Sequence, residues 1–489
     1  VNVLLLPQLY SASNLFGVSM VNYLYDLVSV VNAVRDDVHW WFGVPETSDV
    51  VRWSAEDFAG LDRVTVFPVL PNGGANRSTV RDGFAGVDYP FYSRECLRLF
   101  ADLPRYLQFD VVLSNFYTAQ TVPALQASYP PAYHYLLPKV GQPTVINLLT
   151  ETWLDKSLSQ LCAPAGRQAV VFSAAASDIN LVLTRADADE LVLEARKLLA
   201  PALARSLRPL VQRPVLDSAK VPVFERPVGR RTFFHGGTLE AKRHVRELVE
   251  HVGRLAAVCD VRLLNTTQLQ TAPAWTEGRL SYLEMRTGCN RLHYLEALAD
   301  GDFCLCMVDY EGTGLGYTEA ILSGMTPVWL RRPWNVGRLP DDYPFFCRGK
   351  AEMHQAMHFC ATSPERAKEL GKQAVEYVRK LYDKESQGLE WSDLLDQAAE
   401  IRAGKTRALA SGHFMTALVR GGLATLPERF TTRELLAAVA AQSEKLTVQK
   451  LAAQGAQVRA LAMSFGACPL TGDLADDGLW VRQGGQADG

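Results

Sequence analysis
The stretch Asp309-Tyr-Glu-Gly-Thr-Gly-Leu-Gly-Tyr-Thr-Glu-Ala-Ile-Leu-Ser-Gly324, continued by Met325-Thr-Pro-Val-Trp-Leu330, decides how this chain folds. The apolar run Phe303 to Val308 before it predicts a buried strand. Gly312, Gly314 and Gly316 follow at alternating positions, then a short apolar helix over Thr318 to Leu322, a stop at Gly324 and a second strand. Strand, glycine loop, helix and strand make a βαβ unit. Its loop brings backbone N–H groups and a helix N-terminus to one point, which favours an anion such as a diphosphate. Glu311 opens the loop and Glu319 stands eight residues later. A carboxylate at Glu319 can accept hydrogen bonds from a vicinal diol, as an acidic residue does with ribose in dinucleotide folds. Glu311, at the phosphate end, can hold a sugar hydroxyl. The glycines alone fit equally well a tight βα turn with a capping glutamate.

As a whole the stretch resembles the E-x7-E signature of retaining glycosyltransferases with the two-Rossmann (GT-B) architecture. Glu311, Gly312, Gly314, Leu315, Glu319, Ala320, Gly324, Pro327 and Val328 agree with that signature in register. Thr313 replaces its usual aromatic, and Gly316 stands where proline is common. The resemblance covers one βαβ unit directly and the second half of the chain by implication. It implies an α/β protein of two Rossmann-like domains facing a central cleft, with a nucleotide-sugar donor as substrate, no metal and no other cofactor. The donor diphosphate would lie on Gly312, Thr313, Gly314, Leu315 and Gly316, the ribose on Glu319 and the sugar near Glu311. An Arg and a Lys at the first βα junction of the donor domain would neutralise the diphosphate. The Lys maps to Lys242; the Arg position falls on Gly237 or Thr238, with Arg243 and Arg246 as stand-ins.

The bulk numbers agree with a soluble globular chain. With 489 residues, 48% hydrophobic and 21% charged, it should hold two to three domains. A formal net charge of -3 argues against a uniformly basic nucleic-acid binder but permits a local patch. Val1 to Leu6 is too short for a signal or membrane segment, and no later apolar run is long enough to span a bilayer. No membrane partner is expected. The 9 cysteines are scattered without a C-x-x-C pair, which fits a reducing cytoplasm, or the host cytoplasm for a bacteriophage protein.

Residues 1–222 read as an N-terminal Rossmann-like acceptor domain. Strands are expected at Val1–Leu6, Val38–Phe42, Arg63–Val69, Phe109–Asn115, Thr144–Leu149 and Asp178–Thr184, with a helix from Gly17 to Val34. The resemblance puts the first loop over the donor phosphates. Only Gly17 stands there, with Ser11, Ser13 and Asn14 as polar candidates. Glu151, beyond a strand end, is a candidate catalytic base or hydrogen-bond acceptor for the incoming hydroxyl; a helix cap is the competing reading. Asp187-Ala-Asp189 invites a metal–nucleotide reading, but N-capping is the simpler account. Prolines at 201, 209, 214, 222 and 227 mark a domain boundary.

Residues 223–404 read as the donor domain with a return helix. A strand at Thr232 is followed by a helix over Leu239 to Leu255, whose first turns gather Lys242, Arg243, His244 and Arg246. The helix dipole disfavours cations there, so the cluster points either to an anionic partner or to a solvated basic face. Arg331-Arg-Pro-Trp-Asn-Val-Gly-Arg338 is a basic aromatic loop, and helices are expected over Pro364–Leu381 and Trp391–Ala403. Residues 405–489 form a small α+β module. Thr431 with Glu434 predicts a capping box, Leu446–Phe465 a second helix, and Pro469–Arg482 a hairpin. This loosely resembles a winged helix-turn-helix. From Ile401 on there are ten basic and seven acidic residues, so the tail is the basic end. It can grip DNA phosphates, or serve as a packing or oligomerisation appendage.

The leading expectation is a glycosyltransferase, hexosyl or pentosyl, whose acceptor is a hydroxymethylated pyrimidine in DNA, as in phage-type DNA-modifying enzymes. A polysaccharide or protein acceptor competes with it. From other classes come a non-catalytic DNA-binding protein on a transferase scaffold, and a nucleotide-sugar epimerase.

Overall fold
The computed structural model describes residues 1–6, 16–45, 60–70, 109–115, 143–149, 170–175, 177–227, 229–237, 243–267, 271–279, 281–289, 291–311, 313–443, 447–448, 458, 462, 467–469 and 479–482. Two parallel sheets are built from the apolar runs. The first holds β1 (Asn2–Leu6), β2 (His39–Pro45), β3 (Val64–Leu70), β4 (Val111–Asn115), β5 (Thr144–Leu149), β6 (Ile179–Val182) and β7 (Leu210–Val211), in the order β3-β2-β1-β4-β5-β6-β7. The second holds β8 (Thr232–Gly236), β9 (Arg262–Thr266), β10 (Leu283–Arg286), β11 (Phe303–Cys306), β12 (Thr326–Leu330) and β13 (Phe346–Cys347), in the order β10-β9-β8-β11-β12-β13. β5, β6, β8, β11 and β12 are buried at every position. Strands covered by helices on both faces are mostly apolar rather than alternating: β11 is apolar throughout, and the others bury a few polar residues (Thr144, Asn147, Asn180, Thr232, His235, Thr326) among their apolar ones. The two expected Rossmann-like halves are both present.

In each sheet the strand order reverses once. β2 and β3 lie on one side of β1 and β4 on the other; β9 and β10 lie on one side of β8 and β11 on the other. Beyond the carboxyl ends of the strands, such a reversal leaves a crevice that neighbouring loops cannot fill. In the second sheet the loops that flank it are Gly237 onward, after β8, and Asp309 to Gly314, after β11.

The structure departs from expectation at several element boundaries. The proline-rich stretch is not irregular throughout: Pro201 starts a short helix to Ser206, and Leu210–Val211 adds the last strand to the first sheet. Proline at the first helical position has no N–H to lose, so it starts the helix rather than breaking it. The helix expected from Leu239 runs instead over Val245–Ala256. Its N-cap, His244, has φ 49°, a left-handed conformation that a helix interior cannot accommodate. β10 is an edge strand that sequence reading missed, because Leu283-Glu-Met-Arg286 is neither a run nor a clean alternation. The expected helix Trp391–Ala403 is part of a 42-residue helix, Lys384–Thr425.

The chain divides into two compact units, with the later boundary at Ala399/Glu400. In the second unit β14 (Arg429–Thr431), β15 (Ala467–Pro469) and β16 (Leu479–Arg482) form an antiparallel sheet in the order β14-β16-β15. The expected hairpin pairing is therefore present, while residues 470–478 between its strands lie outside the described residues. Thr431 caps the helix Thr432–Ala441 and Glu434 returns the bond, completing the capping box. Of the expected helix Leu446–Phe465, Val448, Val458 and Ala462 are described as helical. Trp480 is fully buried, stacks on Phe430 at 6.4 Å and donates its indole N–H to Thr432 Oγ1 at 2.8 Å. Leu418, Leu435, Val439, Val458 and Ala467 complete that core.

Candidate functional site
The glycine loop leaves β11 and enters the helix Leu315–Leu322 through Gly314, whose φ of 57° makes it a left-handed N-cap. A Cβ there would lie 2.6 Å from an Arg338 nitrogen and 2.7 Å from the Trp334 ring, so only glycine fits. Arg338 donates to Thr313 O, and Trp334 donates its indole N–H to Val308 O at 3.0 Å. The basic aromatic loop after β12 thus braces the glycine loop from behind. Tyr294 donates to Gly316 O, and Arg332 and His244 both hold Asp309, at 3.0 and 2.7 Å. Burial works against the Asp309 carboxylate, but those two partners hold its pKa below the usual carboxylate value. The result is a fixed helix N-terminus at the switch point, the arrangement that stabilises an anion.

Glu311 meets a cation. Arg243 Nη2 lies 2.7 Å from Glu311 Oε2, and both side chains are nearly buried. Arg243 also donates to Tyr317 Oη at 3.1 Å. Tyr317 in turn lies 3.2 Å from His235 Nε2, and His235 Nδ1 lies 2.8 Å from Asn265 Oδ1. With the proton on Nδ1, every bond in the chain Asn265–His235–Tyr317–Arg243 has a donor and an acceptor, and the chain ends in the Arg243–Glu311 ion pair. Gly237, with φ 138°, gives Arg243 room: a Cβ there would stand 2.6 Å from the guanidinium.

His235 is fully buried, and burial, aided by Arg243, depresses its pKa to about 4. An unfolded histidine takes a proton near pH 6.5, whereas the folded one stays neutral down to about pH 4. Stability from this residue is therefore intact above pH 6.5 and lost as pH falls towards 4. At one pKa step per 1.4 kcal/mol the loss is roughly 2–4 kcal/mol. Urea melts between pH 7 and 4.5 should show a smaller acid loss in His235→Asn than in the unaltered protein. Equal slopes would remove His235 from the account.

Glu319 is 3% exposed and forms a two-pronged ion pair with Arg291, at 2.5 and 2.6 Å. Arg291 opens the helix Arg291–Ala297, which precedes β11. The charges of Glu319 and Arg291 also act on Asp26, on the helix Phe16–Asn32 of the first Rossmann-like half. Burial pushes the Asp26 carboxyl up to about 6, although Lys220 Nζ at 2.7 Å pulls it down.

The structure brings Glu311, Thr313, Gly314, Leu315, Gly316, Glu319, Gly237 and Arg243 to the switch point of the second sheet. Lys242, Thr238, Gly312, Glu151, Ser11, Ser13 and Asn14 lie outside the described residues. Two expectations are corrected. Arg243 and His244 precede the helix rather than sitting in its first turn, because Arg243 is drawn to Glu311. Arg246 is no stand-in for the missing cation: it is exposed and faces Glu250 one turn on. Thr184 caps the helix Arg185–Leu198: its Oγ1 accepts from the Asp187 backbone N–H at 3.0 Å and donates to Asp187 Oδ2 at 2.6 Å, while Asp187 Oδ1 accepts from Tyr310 at 3.2 Å and Asp189 pairs with exposed Arg185. The motif does lie at a helix start, but the cap is Thr184 rather than either aspartate. Sequence reading missed Arg291, His235 and Tyr317. Each stands many residues from its partner, and no local spacing signals the contact.

No protein-family model matches the sequence, and no curated protein matches it. Solved structures are similar. Sucrose-phosphate synthase from Thermosynechococcus elongatus superposes with a TM-score of 0.59 at 12% identity, over 81% of this chain and 98% of that one. HepE from Anabaena, in complex with UDP and glucose, gives 0.52 at 11% identity, over 81% and 99%. A variant of S. aureus TarM, in complex with Fondaparinux, alpha-GlcNAc-glycerol and UDP, gives 0.55 at 9% identity, over 80% and 99%. The fold is GT-B. In this GT-B chain Glu311 and Glu319 stand beside the switch point of the second Rossmann-like half, each paired with an arginine.

Proposed function
We propose that this chain is a retaining glycosyltransferase that moves a sugar from a nucleotide-sugar donor to an acceptor hydroxyl, and that the acceptor is a hydroxymethylated pyrimidine in DNA. The observation that carries the transferase reading is the pair of glutamates, eight residues apart, bracketing a braced helix N-terminus at a GT-B switch point. The complexes of HepE and TarM with UDP favour a UDP-sugar as donor. The diphosphate would rest on the backbone from Gly312 to Gly316, with Lys242 and Arg243 as counter-charges. The ribose would meet Glu319 and the sugar Glu311. Negative charge grows on the leaving nucleoside diphosphate, and preorganised N–H groups and cations stabilise it without a metal. Glu151 is the acceptor-side base in this reading.

The acceptor reading rests on the second unit. One strand, a helix, further helical residues and then two more strands, in the order β14-β16-β15, resembles the connectivity of a winged helix-turn-helix and supports this reading. A base modified in such a site would leave the stack to reach the donor. Among the described residues no helix is long and apolar enough to cross a membrane. We place the protein in the cytoplasm, or in the host cytoplasm if phage-encoded.

The test is a donor and acceptor screen by mass spectrometry. The protein meets a panel of nucleotide sugars with unmodified, hydroxymethylcytosine and hydroxymethyluracil DNA, and the digested nucleosides are weighed. A hexose or pentose added only to a hydroxymethylated nucleoside, and absent with Glu319→Ala, is the expected result. Donor hydrolysis without DNA labelling would discard the DNA acceptor and favour a polysaccharide or protein acceptor. No turnover of any donor would favour a binding protein on a transferase scaffold.

A further inference from the structure
The carboxylate assigned to the ribose is not available to a ligand by itself. Arg291 reaches it with both terminal nitrogens, Nη2 to Oε1 at 2.5 Å and Nη1 to Oε2 at 2.6 Å. The two side chains are buried to different depths: Glu319 is 3% exposed and Arg291 31%. Of the two, Arg291 is the side chain that solvent, and so a diol, reaches more readily. Each carboxylate oxygen keeps a second lone pair, and a guanidinium has five N–H donors, of which this pair uses two. The pair can thus accept from one ribose hydroxyl and donate to the other.

We infer that Arg291 and Glu319 act as one unit in nucleotide recognition, with Arg291 as the positioning and specificity-determining residue for the ribose diol. This rests on the donor site proposed above. The physical reason is geometric as well as electrostatic. A carboxylate that deep needs a counter-charge to stay ionised, and the planar fork fixes the plane of both oxygens, which a lysine's single ammonium cannot do. Tyr294, in the same helix as Arg291, lies with its ring centroid 5.9 Å from the guanidinium and closes one side of it. The Asp26–Lys220 pair supplies the next charges beyond.

The experiment is calorimetric titration with UDP and with 2′-deoxy-UDP, on the unaltered protein and on Arg291→Lys and Arg291→Gln, each checked for an unchanged circular dichroism spectrum. GDP and ADP replace UDP if UDP gives no heat. A hydrogen bond to a charged group is worth about 1.5–3 kcal/mol, so the unaltered protein should prefer the ribonucleotide by roughly 10–100-fold. That preference should shrink to within about threefold in both variants, whatever happens to overall affinity. A purely structural Arg291 would weaken both ligands equally and keep their ratio, which would overturn the inference. So would equal binding of UDP and 2′-deoxy-UDP to the unaltered protein, while leaving the donor site standing. Absence of binding by all three ribonucleotides would overturn the nucleotide-sugar reading itself, and the inference with it.

Discussion

Glu311→Gln is expected to lower transferase turnover on the order of 10²–10³-fold, the loss that follows removal of one preorganised polar group from a reacting centre. The amide keeps the shape of the side chain but not its charge. Arg243 then loses its carboxylate at 2.7 Å and keeps its bond to Tyr317. Nucleotide affinity should change far less, because the contacts proposed for the ribose and diphosphate lie elsewhere on the loop and helix. The measurement is kcat and KM for the donor identified in the screen, beside UDP titration of the same variant. A turnover within about threefold of the unaltered protein would take Glu311 out of the reaction. Pairing this substitution with Arg243→Met should cost less than the sum of the two, since the side chains share one contact.

Gly314→Val is expected to destabilise the first unit by roughly 2–5 kcal/mol and to abolish donor binding. Two effects add. The φ of 57° at Gly314 costs any branched residue about 1–2 kcal/mol. Its Cβ must also displace Arg338 and Trp334, which stand 2.6 and 2.7 Å away and brace the loop. Gly337 separates the two effects. It has φ 81° but nothing within 4 Å of its Cβ position. Gly337→Ala should therefore show the backbone term alone, about 1–2 kcal/mol, with donor binding retained. Urea melts and UDP titration of both variants check this. Equal destabilisation at the two glycines would mean that close approach at Gly314 does not matter.

How much of this was legible beforehand follows from the range of each interaction. The strands of both sheets could be read because a parallel strand buried on both faces is predominantly apolar, as Phe303–Cys306 is throughout and Thr144–Leu149 is apart from Thr144 and Asn147. Edge strands lack that constraint, and β7 and β10 escaped for that reason. The capping box at Thr431 and Glu434 was legible because it is closed within three residues. The start of the helix at Val245 was not, because a contact from Arg243 to Glu311, far along the chain, outweighs local helix propensity.

The sequence by itself determined the α/β class, the two Rossmann-like halves and the loop with its paired glutamates. The α/β class and the loop rest on hydrophobic period, glycine placement and short spacings that one segment carries alone, and the two halves were implied by the resemblance of that loop to the E-x7-E signature. Only the tertiary structure decided what each glutamate faces. Arg291 lies 28 residues before Glu319 and on another helix, and Arg243 reaches Glu311 from the opposite side of the switch point. The order of strands, which no local pattern encodes, brings those arginines to the glutamates. Once that order has taken both partners out of water, a buried carboxylate and a nearby guanidinium pair because neither can remain there alone.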